Sequence, residues 1–301
     1  MKAKVNGTEL FFDVEGSALI PGEGRMVERP VCFALHGGPG VDSSPLRPWL
    51  SPLAQVMQLV YVDYRNTGRS ARMPLETCTI ENMIDDLEAL RLHLGLDRIA
   101  VLGYSFGGIL AMPYAVKYPH SVSHLILSST SPYWGEEGET EKWANLRKLA
   151  SARPDLAPLI AEYTEGYAER GLGATNEEAK AKSQKTQGIW FHRLDPQKIA
   201  QIASDIADRT IFSTELSNWV MKYEMPKYDM RPRLHEITAP TLILVGRWDW
   251  RSTLEHAQIM QQGIPGAELV IFEDSSHALY IEEQDKFVAT VTDFIERHPI
   301  A

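Results

Sequence analysis

The sequence predicts an α/β fold, a mostly parallel sheet covered by helices on both faces, and three observations carry that expectation. Val31 to Leu35, Leu59 to Asp63, Ile99 to Leu102, Leu125 to Leu127, Thr241 to Val245 and Glu268 to Phe272 are short, nearly continuous apolar runs, which is how strands buried on both faces read. Several of these runs alternate with helix-favouring stretches, as crossovers between parallel strands require. Between about Pro132 and Glu236 the strand rhythm lapses and the sequence turns charged, aromatic and helix-favouring. That stretch is too long for a connection inside a compact unit, so a helical subdomain sitting on the sheet is expected.

Taken in chain order, residues 3 to 14 alternate around Asn6-Gly7, the strongest short hairpin signal, so the chain should start as an antiparallel edge. Thr79 is a natural N-cap for a helix whose Ile80, Met83, Ile84, Leu87, Leu90 and Leu94 form one apolar stripe. Glu81, Asp85, Glu88 and Arg91 fall opposite, and Gly95 supplies the stop. Ile109 to Tyr118 is apolar and helix-compatible. Further helices are expected at 136–152, 158–170, 176–190, 196–207 and 212–222, with the Pro-rich stretch Met225-Pro226 through Arg231-Pro232 as the return linker. The predicted organisation is a core of 1–131 and 236–301 interrupted by a helical segment, 132–235, with no internal repeat or low-complexity tract.

The 301 residues are 44% hydrophobic and 23% charged, an ordinary globular composition able to bury a sizeable core. A formal net charge of −10 and the lack of any Lys/Arg run argue against nucleic acid or an anionic membrane as partner. Cys32 lies inside an apolar run and Cys78 is the other cysteine, so a disulfide framework is not expected and neither thiol looks catalytic. The first residues carry charge but no apolar core of signal-peptide length, and no apolar stretch reaches membrane-spanning length. The expectation is a cytoplasmic protein, its oligomeric state left open.

The chemistry centres on Gly103-Tyr104-Ser105-Phe106-Gly107. A Gly-x-Ser-x-Gly turn between a buried strand and a helix lifts a serine hydroxyl into a cleft as a nucleophile. Serine needs a base within hydrogen-bond reach, and the base needs an orienting carboxylate. In elbow-type hydrolases the acid and then the histidine follow the serine, each past a strand's carboxyl end. Asp249 follows the run 241–246 and His277 follows the run 268–272. An Asp in a turn or a lone His would carry little weight alone; order and strand placement together make them the candidates. His93 is expected on a helix, His120, His192, His235 and His256 in surface-like stretches, His124 before a strand and His298 near the terminus, none with chemistry. For the tetrahedral oxyanion, one donor should be the amide of Phe106 and the other an amide of His36-Gly37-Gly38-Pro39-Gly40, with Gly38 favoured and Gly37 the fallback. His36 has no second ligand at metal-binding spacing, so no metal is expected.

Taken together, His36 to Gly40, the run Asp63-Tyr64-Arg65-Asn66-Thr67-Gly68-Arg69-Ser70, the turn at Ser105, Gly246 to Asp249 and His277 resemble the α/β-hydrolase superfamily, and within it the proline iminopeptidase branch. The resemblance implies Ser105 as nucleophile, Asp249 as acid, His277 as base, Gly38 and Phe106 as oxyanion donors, the insertion as a cap, no cofactor, and a small-molecule or short-peptide substrate. Asn66 stands where the second motif usually has glycine, and Asn is the non-glycine residue readiest to take a left-handed conformation. Members of this branch bind the substrate's amino terminus with cap glutamates; near one such place this chain has Asn218, and Glu215, close in sequence, is the candidate substrate-binding residue. Trp134, Trp219 and Trp248 are expected in the pocket wall, where indoles would cover a compact apolar group. The leading expectation is an aminopeptidase of proline iminopeptidase type releasing a small N-terminal residue. An esterase or lactonase with the same machinery is the alternative, and a non-catalytic binding protein on the same fold a distant one.

Overall fold

In the computed structural model the described residues are 1–170 and 173–299, without the side chains of 166–170. Asn6 and Gly7 both take positive φ, 43° and 72°, the geometry of a tight hairpin turn; it joins β1 (Lys2–Val5) to β2 (Thr8–Glu15). An exposed two-stranded ribbon, β3 (Leu19–Pro21) with β4 (Met26–Glu28), follows, too short for the sequence pattern to announce. The central run is β5 (Val31–Leu35), β6 (Gln58–Val62), α1 (Ile80–His93), β7 (Ile99–Tyr104), α2 (Phe106–Lys117) and β8 (Val122–Ser128). His124 therefore lies inside a strand rather than before it. As anticipated, the Thr79 hydroxyl caps α1 by accepting from the Asn82 amide.

Five helices separate β8 from the next strand among the described residues: α3 (Gly135–Ala152), α4 (Ala157–Arg170), α5 (Asn176–Thr186), α6 (Pro196–Arg209) and α7 (Thr214–Tyr223). The helix expected to run to Trp190 stops at Thr186 and tightens into a 3₁₀ turn, Gln187–Trp190. The Pro-rich stretch between α7 and the next strand forms two 3₁₀ turns, Met225–Lys227 and Arg231–Glu236, since proline is well suited to a first helical turn. At the neck, the Trp134 amide donates to the Tyr228 carbonyl and the Met230 amide to the Pro132 carbonyl. The chain then continues through β9 (Thr241–Gly246), α8 (Leu254–Gly263), β10 (Glu268–Phe272), α9 (Leu279–Glu282) and α10 (Gln284–Arg297).

The sheet order is β1-β2-β6-β5-β7-β8-β9-β10. β5 to β10 run parallel, and the hairpin joins antiparallel through β2 and β6. The period of two divides each central strand between two cores. Phe33, Val60, Val101 and Ile243 pack toward α1, α2 and α8, while Ala34, Tyr61, Leu102 and Leu244 pack toward α10. A third, smaller core joins Leu146, Leu156, Ile160 and Ile189 of the helical segment to Trp250, from the loop after β9. No described helix is long and apolar enough to cross a membrane.

Candidate active site

The loops after β5, β7, β9 and β10 meet at the carboxyl edge of the parallel strands, where open α/β sheets hold their ligands. Ser105 stands between β7 and α2 at φ 52°, ψ −114°, a conformation that costs a non-glycine residue about 1–3 kcal/mol and persists only where its surroundings enforce it. Here the Ser105 amide donates to the Ser128 carbonyl at 2.9 Å, and the Ser105 carbonyl accepts from Thr130 Oγ1 at 2.8 Å. The flanking glycines are required by contact: a β-carbon on Gly103 would stand 2.6 Å from the Gly107 carbonyl oxygen, and one on Gly107 2.2 Å from that of Leu35.

His277 Nε2 lies 3.0 Å from Ser105 Oγ and His277 Nδ1 lies 2.8 Å from Asp249 Oδ2. The other Asp249 oxygen accepts from the amides of Arg251 and Ser252 at 2.8 and 2.9 Å. An ionised carboxylate only accepts, so Nδ1 carries the imidazole proton and Nε2 offers its lone pair to the serine hydroxyl. This arrangement can draw the hydroxyl proton onto the ring.

The loop after β5 closes the other side. A β-carbon on Gly37 would sit 2.9 Å from the Tyr104 ring and 3.2 Å from Ser105 Cβ, and Gly38 has φ 62°. Both positions therefore favour glycine if the backbone is to pass this close to the serine. The Phe106 amide is the first of α2 and has no carbonyl one turn back. The second motif supports the first: Tyr64 stacks on His36 at 4.0 Å between ring centroids and donates its hydroxyl to the His36 carbonyl at 2.9 Å. Asp63 accepts from the Ser43 and Arg69 amides, and Asn66 has φ 64°, the left-handed conformation expected of it. Burial holds His36 below the usual imidazole range, and it drives the Cys32 thiol up to about 12, leaving that sulfur inert.

Above Ser105 is a cavity of about 290 Å³, walled by Gly37, Gly38, Phe106 and His277 from the core and by Trp134, Trp190, Phe212 and Met221 from the helical segment. The charged side chains among its described lining are Lys182 and Arg251, and the Arg251 guanidinium lies 3.4 Å from the centroid of the Trp134 ring. No group of three or more potential metal ligands occurs among the described residues.

Of the residues expected on the wall, Trp134 lines the cavity. Trp219 instead packs at the edge of the main core and beside Tyr223, and Glu215 is exposed in the first turn of α7. Trp248 is 48% exposed, stacked on His192 and donating to the Glu273 carbonyl. The turn that brings Asp249 inward sends its neighbour out. Expectation also passed over Trp190, Lys182 and Arg251, and it placed His256 on the surface although that residue is buried. Trp190 carried a signal: it ends a helical stretch in an aromatic pair, Trp190-Phe191, which a plain surface helix does not need.

The alpha/beta hydrolase fold family matches residues 30–284. Among curated proteins the chain is similar to the proline iminopeptidase of Saccharolobus solfataricus, at 31% identity over 87% of this chain and 84% of that one. It is similar also to a proline iminopeptidase of Pestalotiopsis fici, at 27% over 98% of both. Among solved structures, an enol-lactonase from Burkholderia xenovorans superposes with a TM-score of 0.74 at 22% identity, covering 98% of this chain and 100% of that one, a likeness of fold.

Proposed function

The chain belongs to the α/β-hydrolase family, in its proline iminopeptidase-like branch, and from that premise we propose a serine hydrolase that works through an acyl-enzyme. The observation that carries the proposal is the hydrogen-bonded series Ser105, His277, Asp249 at the ends of three strands. In this reading His277 Nε2 takes the Ser105 hydroxyl proton as Oγ attacks the substrate carbonyl carbon. The oxyanion so formed is held by the Phe106 and Gly38 amides, while Asp249 faces the positive imidazole. Collapse breaks the bond to the leaving group, which receives the proton from Nε2; a water molecule then repeats the sequence and releases the acid.

The mostly apolar walls suit a compact acyl group, and residues 132–235 serve as the cap that encloses it. With the relatives described above, this supports removal of a small N-terminal residue, in the manner of a proline iminopeptidase. A second reading, an esterase or lactonase, is favoured by Lys182 and Arg251 on the cavity wall, because cations there oppose a substrate ammonium group.

The test is stoichiometric labelling of Ser105 by an organophosphonate, abolished in Ser105→Ala, followed by prolyl, alanyl and phenylalanyl arylamides assayed against short-chain esters and lactones. Turnover of prolyl arylamide supports the first reading and activity on esters alone the second. A folded, unlabelled and inactive protein sinks both and leaves a binding protein.

A further inference from the structure

The imidazole of His277 is held by more than its two hydrogen bonds. The Trp190 ring lies 5.0 Å from it between centroids, with the planes 48° apart, and the Tyr104 ring lies at 5.3 Å. Trp190 comes from the helical segment, not from the sheet, and its ring also packs against that of Trp250 at 4.7 Å between centroids. The backbone is fastened at the same place: the Ala278 amide, next after His277, donates to the Trp190 carbonyl at 3.3 Å. Trp250 Nε1, one residue past Asp249, donates to the Ile189 carbonyl at 2.8 Å. Ile189 and Trp190 thus receive the neighbours of both the base and the acid.

We propose that Trp190 is a positioning residue for the general base, its indole face stabilising the imidazolium that forms when His277 takes the serine proton. The inference rests on the reading of His277 as that base. A cation over an aromatic face and within about 6 Å of its centroid is attracted by the ring quadrupole, and indole is the strongest such face. When Ser105 Oγ–H transfers its proton to Nε2 the ring gains a positive charge, and the attraction appears; when the proton passes to the leaving group it vanishes. An interaction made only at that stage raises kcat and leaves KM alone. The other ionisable groups around the imidazole are Asp249, hydrogen-bonded to its Nδ1, the cavity cations Lys182 and Arg251, and Tyr104 with Tyr280 beside it. Burial keeps both phenols neutral by raising their pKa. Glu282 lies behind the loop, accepting from the Ser276 and His192 amides.

The experiment compares Trp190→Leu, which keeps an apolar side chain without the π face, with Trp190→Phe, which keeps a ring. Both are assayed on the best substrate of the panel across pH, with circular dichroism for the fold and phosphonate labelling for Ser105. The leucine variant is expected to lose about 10-fold in kcat, its acid limb moved to lower pH, while phenylalanine keeps kcat within about threefold of wild type; any change in KM reports the cavity wall that Trp190 also forms. Trp190→Met replaces the leucine variant if that does not fold. Equal losses in the ring and ringless variants, or a rise in KM with kcat unchanged, would overturn the inference while the labelled wild type upholds the hydrolase. A wild type that takes no label overturns both.

Discussion

The carbonyl oxygen of Ser276 lies 2.1 Å from where a β-carbon on Gly246 would stand, and that of Ser275 lies 2.6 Å away. The last residue of β9 must therefore be glycine for the loop carrying His277 to lie against the loop carrying Asp249. In Gly246→Ala that loop moves outward, and a displacement of about 1 Å at a reacting group costs on the order of 100-fold. The expected outcome is a folded protein whose kcat/KM falls on that order, measured on the substrate identified by the panel. Activity within a factor of about three would show that the loops adjust independently.

Asp249→Asn tests the tautomer. A carboxylate forces the proton onto His277 Nδ1, whereas an amide whose nitrogen faces the ring donates instead and drives the proton to Nε2. The lone pair facing Ser105 is then lost. A fall in kcat of about 10⁴ with little change in KM is expected, alongside slow phosphonate labelling. Full-rate labelling in this variant would remove Asp249 from the mechanism.

The strands and the elbow were legible because most of their causes are local: a buried parallel strand reads as an apolar run, and Gly103 is fixed by a contact within one turn, although Gly107 is fixed by Leu35 of β5. That Asp249 and His277 would meet Ser105 was legible because the fold gathers residues just past strand ends at one edge of the sheet. The cavity wall was not. Trp219 and Trp248 look like Trp134 in sequence, and what separates them is the rotation of a turn and the packing of α7, which local pattern does not record. His256 was misplaced for the same reason: the residues it packs against and bonds to, Tyr133 and Glu141, are at least 115 positions away.

Arg65, in the second motif, and Asp86, on α1, form a buried pair: Nε donates to Oδ2 at 2.7 Å and Nη2 to Oδ1 at 2.5 Å, with side chains 4% and 2% exposed. Burial raises the Asp86 carboxyl despite Arg65, so the pair is not a clear net stabiliser. Removing one partner is different, since it strands a buried charge at a cost of about 3–5 kcal/mol. Asp86→Ala should lose that much in urea unfolding. The double variant Arg65→Met/Asp86→Leu should recover most of it, and failure to recover would mean the pair contributes more than its own desolvation cost.

His256 ties the start of α8 to the helical segment. Its Nδ1 accepts from the Thr253 amide at 3.2 Å and its Nε2 lies 3.0 Å from Glu141 Oε2 on α3. An amide only donates, so Nδ1 is the bare nitrogen and Nε2–H points to Glu141. Protonating Nδ1 would set a second proton against the Thr253 N–H, in agreement with a pKa that burial lowers, even though Glu141 acts to raise it. Below the unfolded value of about 6.5, the unfolded chain then binds more protons than the folded one. The contribution is present above that pH and is lost as pH falls toward the lowered folded value. His256→Gln keeps a side chain able to accept from the N-cap amide but does not titrate. Wild type should exceed this variant in Tm at pH 8, and the gap should narrow or reverse at pH 5. His36, His124 and His192, also lowered by burial, slope the same way in both proteins and cancel in the difference. A gap independent of pH would mean that His256 stabilises the fold by packing alone.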